Sequence, residues 1–383
     1  MRRDLLIAAG PGEWRAVWLE DGVAVELHVE RGDSVPAGSI VLGRVRLVTP
    51  GLDAVFVDIG EVHSGFLPGR RPPEEGARII VEVQREAQRG KGARLSAKIA
   101  EERLVGLAEH VARVEPPARL SPAPGFAATL ALRLPDVPDR IWCDEARPLA
   151  ELRRVFPDAD ITQCHVADWP IDVEGVFATA LAPKVEMPGA GPMHIVEEEA
   201  ATLIDVDTGT PETGSLARNA LTANLQAAAM VARHIRLRQI GGGIVIDFAA
   251  LDGRGPREKI RQAMTEALAG DPARPEVLGW TRLGHLEIVR PRRLRPLSDA
   301  MLEYGYARKS TDTLAFEALR LVAREARASP ATSWRLVVSE FVALALRNSA
   351  AAGLRALEER LGRSIAIETR RDIPERPFDI VPL

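Results

Sequence analysis

Cysteine and lysine are scarce in this sequence, and long apolar runs are missing altogether. Two cysteines, Cys143 and Cys164, stand far apart in a chain of 383 residues, and no Cys-x-x-Cys occurs. That excludes a zinc knuckle built on cysteine pairs and fits a reducing compartment. No segment approaches the roughly 20 apolar residues of a membrane span. The opening Met1-Arg2-Arg3-Asp4, with a short apolar stretch ending at Gly10-Pro11, is too short for a secretory signal. A cytoplasmic protein with no membrane attachment is expected. The 7 histidines are scattered and show no His-Glu-x-x-His or other ligand spacing, so histidine receives no role from the sequence. Lysine occurs only at Lys91, Lys98, Lys184, Lys259 and Lys309, so arginine supplies nearly all the positive charge. Codon bias accounts for that as readily as the fit of guanidinium to phosphate. With 50 basic and 54 acidic residues the net charge is −4, which excludes a uniformly basic nucleic-acid binder but leaves room for a local basic surface.

What is present describes a globular chain. The hydrophobic fraction of 46% and charged fraction of 27% allow a sizeable core. The length points to two or three domains. Residues 4–30 read as short strands, with turn signals at Gly10-Pro11 and Asp21-Gly22. Residues 37–99 hold short strands separated by Gly and Pro, the pattern of a small five-stranded barrel, and Gly43 and Gly65-Phe66 favour an OB-fold. A helix is expected over 101–114, then a Pro-rich boundary at 116–125. Residues 126–190 alternate strands and helices as an α/β unit. A long helix over 215–238 has a basic end and is stopped by Gly241-Gly242-Gly243; the strand Ile244–Phe248 follows, then a helix over 257–268. The tail predicts helices near 312–328, 333–347 and 351–361 and a final strand.

Two strands end in carboxylates. In Asp205-Val206-Asp207 the period of two puts both aspartates on one strand face, and Asp247 closes the strand after the glycines. Carboxylates at strand ends of an α/β sheet occupy the usual ligand crevice, and such hard oxygens suit Mg²⁺. The plainer alternative is a turn cap at Asp207 and a solvated strand end at Asp247. The triple glycine follows a helix and opens a strand, which is the wrong order for a dinucleotide loop. Basic stretches at 85–103 and 282–295 fall beside the barrel and carboxylate regions. Each alone is more often a solvated face; together with a barrel and a Mg²⁺ site they suit a phosphodiester polymer. Phe56 and Phe66 are candidates for stacking on bases, or for core.

At these residues the chain resembles the bacterial ribonuclease E/G family, most clearly from about residue 38 to 300. Leu52–Gly60 with Ser64–Pro68 resembles the family's RNA-binding barrel, and Lys91-Gly92-Ala93 its following Lys-Gly-Ala motif. Ile204-Asp205-Val206-Asp207-Thr208-Gly209 resembles Ile-Asp-Val-Asn-Thr-Gly, and Asn224-Leu225-Gln226-Ala227-Ala228 resembles Asn-Leu-Glu-Ala-Ala. Residues 236–248 are close to the family signature, and Arg274 and Arg282 fall at matching spacing.

The resemblance implies an α/β multidomain protein: an RNase H-like subdomain (1–36 with 127–190), an OB-fold (37–104), a reduced 5′-sensor region (105–126), a DNase I-like catalytic subdomain (191–300) and a small C-terminal α/β region (301–383). It implies an endoribonuclease on single-stranded RNA in RNA processing or decay, with Asp205 and Asp247 holding Mg²⁺ (or Mn²⁺), Asp207 supporting them, and 5′-phosphate products. Phe56, Phe66 and Lys91 would grip RNA, and Arg274 and Arg282 would lie near its backbone. The pattern differs in four places. Residues 297–312 lack the zinc-link cysteines, so no zinc and no zinc-linked tetramer is expected, leaving a monomer or dimer. Residues 103–126 lack the Arg-Thr pair of the 5′ sensor. Asp207 replaces the family Asn. Gln226 replaces a Glu, and Arg218 stands where an acid is usual. No counterpart of the long C-terminal scaffold of larger members is expected. Two other readings stay open: a catalytically weak RNA-binding protein that keeps the fold, and a Mg²⁺ phosphoesterase on small molecules.

Overall fold

A computed structural model of the chain describes residues 1–31, 35–69, 73–88, 90–121, 125–188, 191–207, 216–251, 253–303, 308–370 and 378–383. It divides into two compact units, residues 31–133 and a discontinuous unit of residues 1–30 with 134–383.

The unit of residues 31–133 is built on a closed five-stranded barrel. Its strands are Ile40–Thr49, Ala54–Asp58, Gly65–Pro68, Arg78–Arg85 and Arg94–Ser96. The first pairs with the second and fourth, the second with the third, and the third lies parallel to the fifth, which pairs back to the fourth. This closure is consistent with an OB-fold. Alternation explains the interior: Val41, Val45, Val55, Val57, Leu67, Val81, Val83 and Leu95 are buried together. Glycine is required where the wall is tight. A Cβ on Gly43 would collide with the Val57 side chain, and one on Gly92 with the Ser64 carbonyl. The stretch after the barrel, expected as one helix and a linker, is instead two short helices, Glu101–Leu104 and Leu107–Arg113, with left-handed Gly106 between them. Leu107, Val111 and Val114 pack on Ile40, Leu42 and Leu120, and Ala118–Arg119 pairs with the first barrel strand.

Among the described residues the discontinuous unit contains three sheets. One has the strand order Asp160–Gln163, Arg140–Cys143, Arg3–Ala9, Glu13–Glu20, Val23–Arg31. Its first three strands are parallel, and Arg3–Ala9 pairs antiparallel with Glu13–Glu20. Two parallel neighbours bring the distant cysteines together: the Cys164 N–H donates to the Cys143 carbonyl at 3.0 Å. Both thiols are free, and burial pushes Cys143 up to about 12, so it stays protonated.

The second sheet carries the candidate site. Its order is Lys184–Val185, Met193–Glu197, Ala201–Val206, Gly242–Asp247, Leu286–Arg290, Glu276–Trp280. One face is apolar and packs on the helices Leu216–Leu237 and Arg254–Leu268, through Ile204, Val206, Ile244, Ile246, Leu286 and Ile288 against Val231, Ile235, Ile260 and Met264. The long helix ends at Leu237, before the glycines. Gln239 takes the left-handed conformation there, and the Ile240 N–H closes onto the Ile235 carbonyl. Gly241 and Gly242 serve another purpose: Arg292 lies so close against them that a Cβ on either would collide with its side chain.

The third sheet, of Ala366–Thr369, Trp334–Val338 and Phe378–Pro382, packs on the helices Thr311–Ala328, Glu340–Arg347 and Ala351–Leu361. A single helix over 333–347 is not formed. Trp334–Val338 is a buried strand, and Ser339 caps a separate helix by accepting from the Val342 N–H. Val337 and Val338 favour the strand, and the cap fixes the restart.

Candidate metal centre and nucleic-acid surface

Asp205 and Asp247 meet by strand register. The strands Ala201–Val206 and Gly242–Asp247 are parallel, and Asp205 is the register partner of Asp247. Partners in a sheet stand on the same face, with strands about 4.8 Å apart. The opposite faces of both strands are buried in the core, so both carboxylates project from the open face and are exposed. They sit at the carboxyl ends of the two strands. Asp207 follows the first strand end, exposed, with its N–H bonded to the Pro192 carbonyl at 3.0 Å. Thr208 and Gly209 of the same motif, and the Arg218 side chain, lie outside the described residues.

A pair of adjacent, solvent-facing carboxylates fits Mg²⁺, which uses one or two carboxylates and keeps several waters. Among the described residues no three His, Cys, Asp or Glu side chains converge into a closed ligand shell.

The loop after Asp247 is fixed by Asn224 from the long helix. Its side chain is fully buried; its amide donates to the Ala249 carbonyl at 2.8 Å and its carbonyl accepts from the Ala249 N–H at 3.1 Å. The Asn224–Ala228 motif thus has a structural reason: the helix clamps the chain two residues past the second carboxylate, while Ala227 and Ala228 pack in the core.

Basic groups gather at this end of the sheet. Arg282 is exposed in the turn joining Glu276–Trp280 to Leu286–Arg290, and Leu286 is the register partner of Ile246, beside Asp247. Arg257 lies over the Trp280 ring at 5.7 Å, and the Trp280 indole N–H donates to the Arg257 carbonyl. Arg274 is not brought together with them. It is exposed at the other end of the sheet, before Glu276, whose partner Val289 pairs with Gly243.

Most of the basic stretch at 282–295 is structural. Arg290 is buried, paired to Asp271 at 2.7 Å and bonded to the Ile240 carbonyl. Arg293 reaches the Leu134 carbonyl and Arg295 the Asp299 carbonyl. The basic end of the long helix is equally occupied. Arg236 is bound to Glu20 and Glu26, and Arg238 donates to the Ala182 carbonyl and to His234 Nδ1. Burial first, then Arg238 and Arg233, lower the His234 pKa to about 3. These arginines pin the sheet and helix, and only Arg282 of the expected set faces solvent at the carboxylate end.

Two residues that received no role from the sequence flank the carboxylates. His194 is the register partner of Asp205. His285 Nε2 stands 3.7 Å from Asp247 Oδ2. Their sequence spacing carries no ligand motif, because register between distant strands places them. The period of two on Met193–Glu197 is the one signal that marks His194 as facing away from the core.

On the barrel, Phe56 and Phe66 are register partners with rings 5.8 Å apart in an edge-to-face arrangement. Both are half-buried on the outer wall, since Val55, Val57 and Leu67 fill the interior. Exposed Arg94 is the parallel partner of Phe66 and exposed Leu47 the partner of Phe56. Lys91 is exposed on the tight loop closed by the Gln88 and Lys91 backbones. The outer wall therefore offers two ring edges beside an arginine, and Arg94 is an addition to the residues expected from the sequence.

Fold and site define a mixed α/β protein with a β-barrel and a carboxylate pair on an open sheet face. Its sequence relationships agree. The family described as "Ribonuclease E/G family" matches residues 152–293, which include Asp205, Asp247 and Arg282. Ribonuclease G of Escherichia coli (strain K12) is 24% identical over 487 aligned positions, covering 100% of both chains. Ribonuclease G of Haemophilus influenzae is 25% identical over 485, covering 99% of each. Ribonuclease E of Synechocystis is 25% identical over 382, covering 75% of this chain and 56% of its own length. The chain is thus similar to ribonucleases G and E along most or all of its length, and its residues 152–293 match the ribonuclease E/G family.

Proposed function

We propose that this protein is a Mg²⁺-dependent endoribonuclease that cleaves single-stranded RNA and leaves 5′-phosphate ends. The observation that carries the reading is the register pairing of Asp205 with Asp247 on the open face of the sheet. Asp205 and Asp247 would hold the ion, with Asp207 beside them; when bound, Mg²⁺ activates water and offsets charge on the scissile phosphate. The residues of the chain do the rest. Arg282 and Arg257 raise the local positive potential where a phosphate approaches the carboxylates. Asn224 holds the backbone after Asp247, so the carboxylate keeps its place as the substrate binds. Phe56 and Phe66 stack on bases, while Arg94 and Lys91 meet the backbone; aromatic faces accept any base, which suits an unpaired strand.

Under the same reading the sheet led by Arg3–Ala9 is RNase H-like, with the barrel inserted in sequence between its strands Val23–Arg31 and Arg140–Cys143, and the sheet with the carboxylates is DNase I-like. The strand orders support this assignment.

The test is cleavage of a 5′-labelled single-stranded RNA with Mg²⁺ or EDTA, beside Asp205→Asn/Asp247→Asn, on 5′-hydroxyl and 5′-monophosphate substrates. Internal cuts that need Mg²⁺ and vanish in the variant are expected, at equal rates on both 5′ ends. Tight RNA binding without cuts would replace the enzyme with a binding protein that keeps the fold.

A further inference from the structure

Each carboxylate of the candidate centre has a histidine for a neighbour. Three adjacent strands place His194, Asp205 and Asp247 in a row on the open face, and His285, in the turn just before the neighbouring strand Leu286–Arg290, extends it. His194 is exposed and directly opposite Asp205; side chains so placed on one sheet face stand about 4.5–5.5 Å apart at Cβ. His285 closes the turn at the same end. Its N–H donates to Thr281 Oγ1 at 3.1 Å and its carbonyl accepts from the Thr281 N–H at 2.8 Å, which fixes the backbone under the ring. The ring then reaches Asp247 at 3.7 Å.

We propose that His285, with His194 on the other flank, supplies imidazole nitrogen to the ion held by Asp205 and Asp247, so that the centre favours Mn²⁺ over Mg²⁺. This rests on reading the two aspartates as the metal pair. The chemistry is selective because Mg²⁺ prefers oxygen, whereas imidazole nitrogen suits first-row transition ions. Asp247 is 60% and His285 31% exposed, so neither side chain is enclosed by packing. Three side chains do not converge as they stand; rotation about side-chain bonds, without backbone movement, is what the proposal requires. A contact between His285 and Asp247 that serves only as a surface ion pair is the competing account.

The experiment titrates the full chain with MnCl₂ and MgCl₂, reading Mn²⁺ by electron paramagnetic resonance and imidazole nitrogen by pulsed methods. Wild-type protein is compared with His285→Leu, His194→Val and Asp205→Asn/Asp247→Asn. Thermal melting without metal and RNA affinity report on fold; His285→Gln replaces the leucine variant if that fails to fold. Expected are nitrogen coupling on bound Mn²⁺, its reduction in each histidine variant, and a loss of about tenfold in Mn²⁺ affinity with Mg²⁺ affinity unchanged. Mn²⁺ bound without nitrogen coupling and unaffected by His285→Leu overturns the proposal but leaves the carboxylate centre. Failure of wild type to bind either ion, or binding that survives the double aspartate change, overturns the carboxylate reading and the proposal with it.

Discussion

At the scale of single residues, exposure separates the side chains that reach solvent from those that hold the fold. Phe66 is half-buried on the outer wall of the barrel, and its loss removes a ring edge without opening the interior. Phe66→Ala should weaken single-stranded RNA binding by about 1–3 kcal/mol, measured by fluorescence anisotropy. A melting temperature that collapses with it would make the ring structural. Arg282 is the exposed arginine in the turn at the carboxylate end. Arg282→Ala should reduce affinity alike across sequences and lower the slope of log affinity against log salt by about one. A substitution that altered sequence preference instead would mean that Arg282 reads bases.

At the scale of elements, the long helix acts on the site through what it clamps. Asn224 satisfies both backbone groups of Ala249, so Asn224→Ala leaves them without that partner in a partly buried setting. The expected cost is about 1–3 kcal/mol in chemical denaturation, with slower cleavage at unchanged RNA affinity. The end of the same helix sets a pH dependence. His234 is buried, and its pKa falls from 6.5 to about 3. Above pH 6.5 neither folded nor unfolded chain holds the proton there. Between that value and about 3 only the unfolded chain does, so acid favours unfolding. Stability should therefore fall as pH drops through this window, with a slope approaching about 1.4 kcal/mol per pH unit from this group. His234→Gln should flatten that part of the curve; an unchanged slope would assign it to other groups.

At the scale of the whole molecule, the proposed labour is divided between two compact units, the barrel of residues 31–133 and the discontinuous remainder that holds the carboxylates. Grip and chemistry should then separate. Asp247→Asn should abolish cleavage while RNA affinity, measured in EDTA to remove any effect of the ion, stays within about twofold. Equal loss of both would mean that Asp247 also positions RNA. Among the described residues no helix is long and apolar enough to cross a membrane.

The sequence by itself determined the features that local pattern sets. Strand alternation marked the barrel and the faces of the carboxylate strands, helical spacing marked the long helix, and the motifs around Asp205, Asn224 and Asp247 carried the family resemblance. It also overread charge: the arginines of 233–238 and 290–295 were legible as a basic stretch, but a stretch does not show that Glu20, Glu26, Asp271 and backbone carbonyls occupy them. Nor did it locate the restart at Ser339, because a buried strand and a buried helix share the same apolar residues until a cap divides them. Tertiary structure alone decided which residues stand side by side. Asp205 and Asp247 are 42 residues apart in sequence, yet adjacent through parallel register. Their histidine neighbours come from one further strand and the turn before another, and strand pairing likewise puts Arg94 beside Phe66. Such neighbours depend on which strands hydrogen-bond and in what register, and that is fixed by the burial of whole faces rather than by the residues at the site.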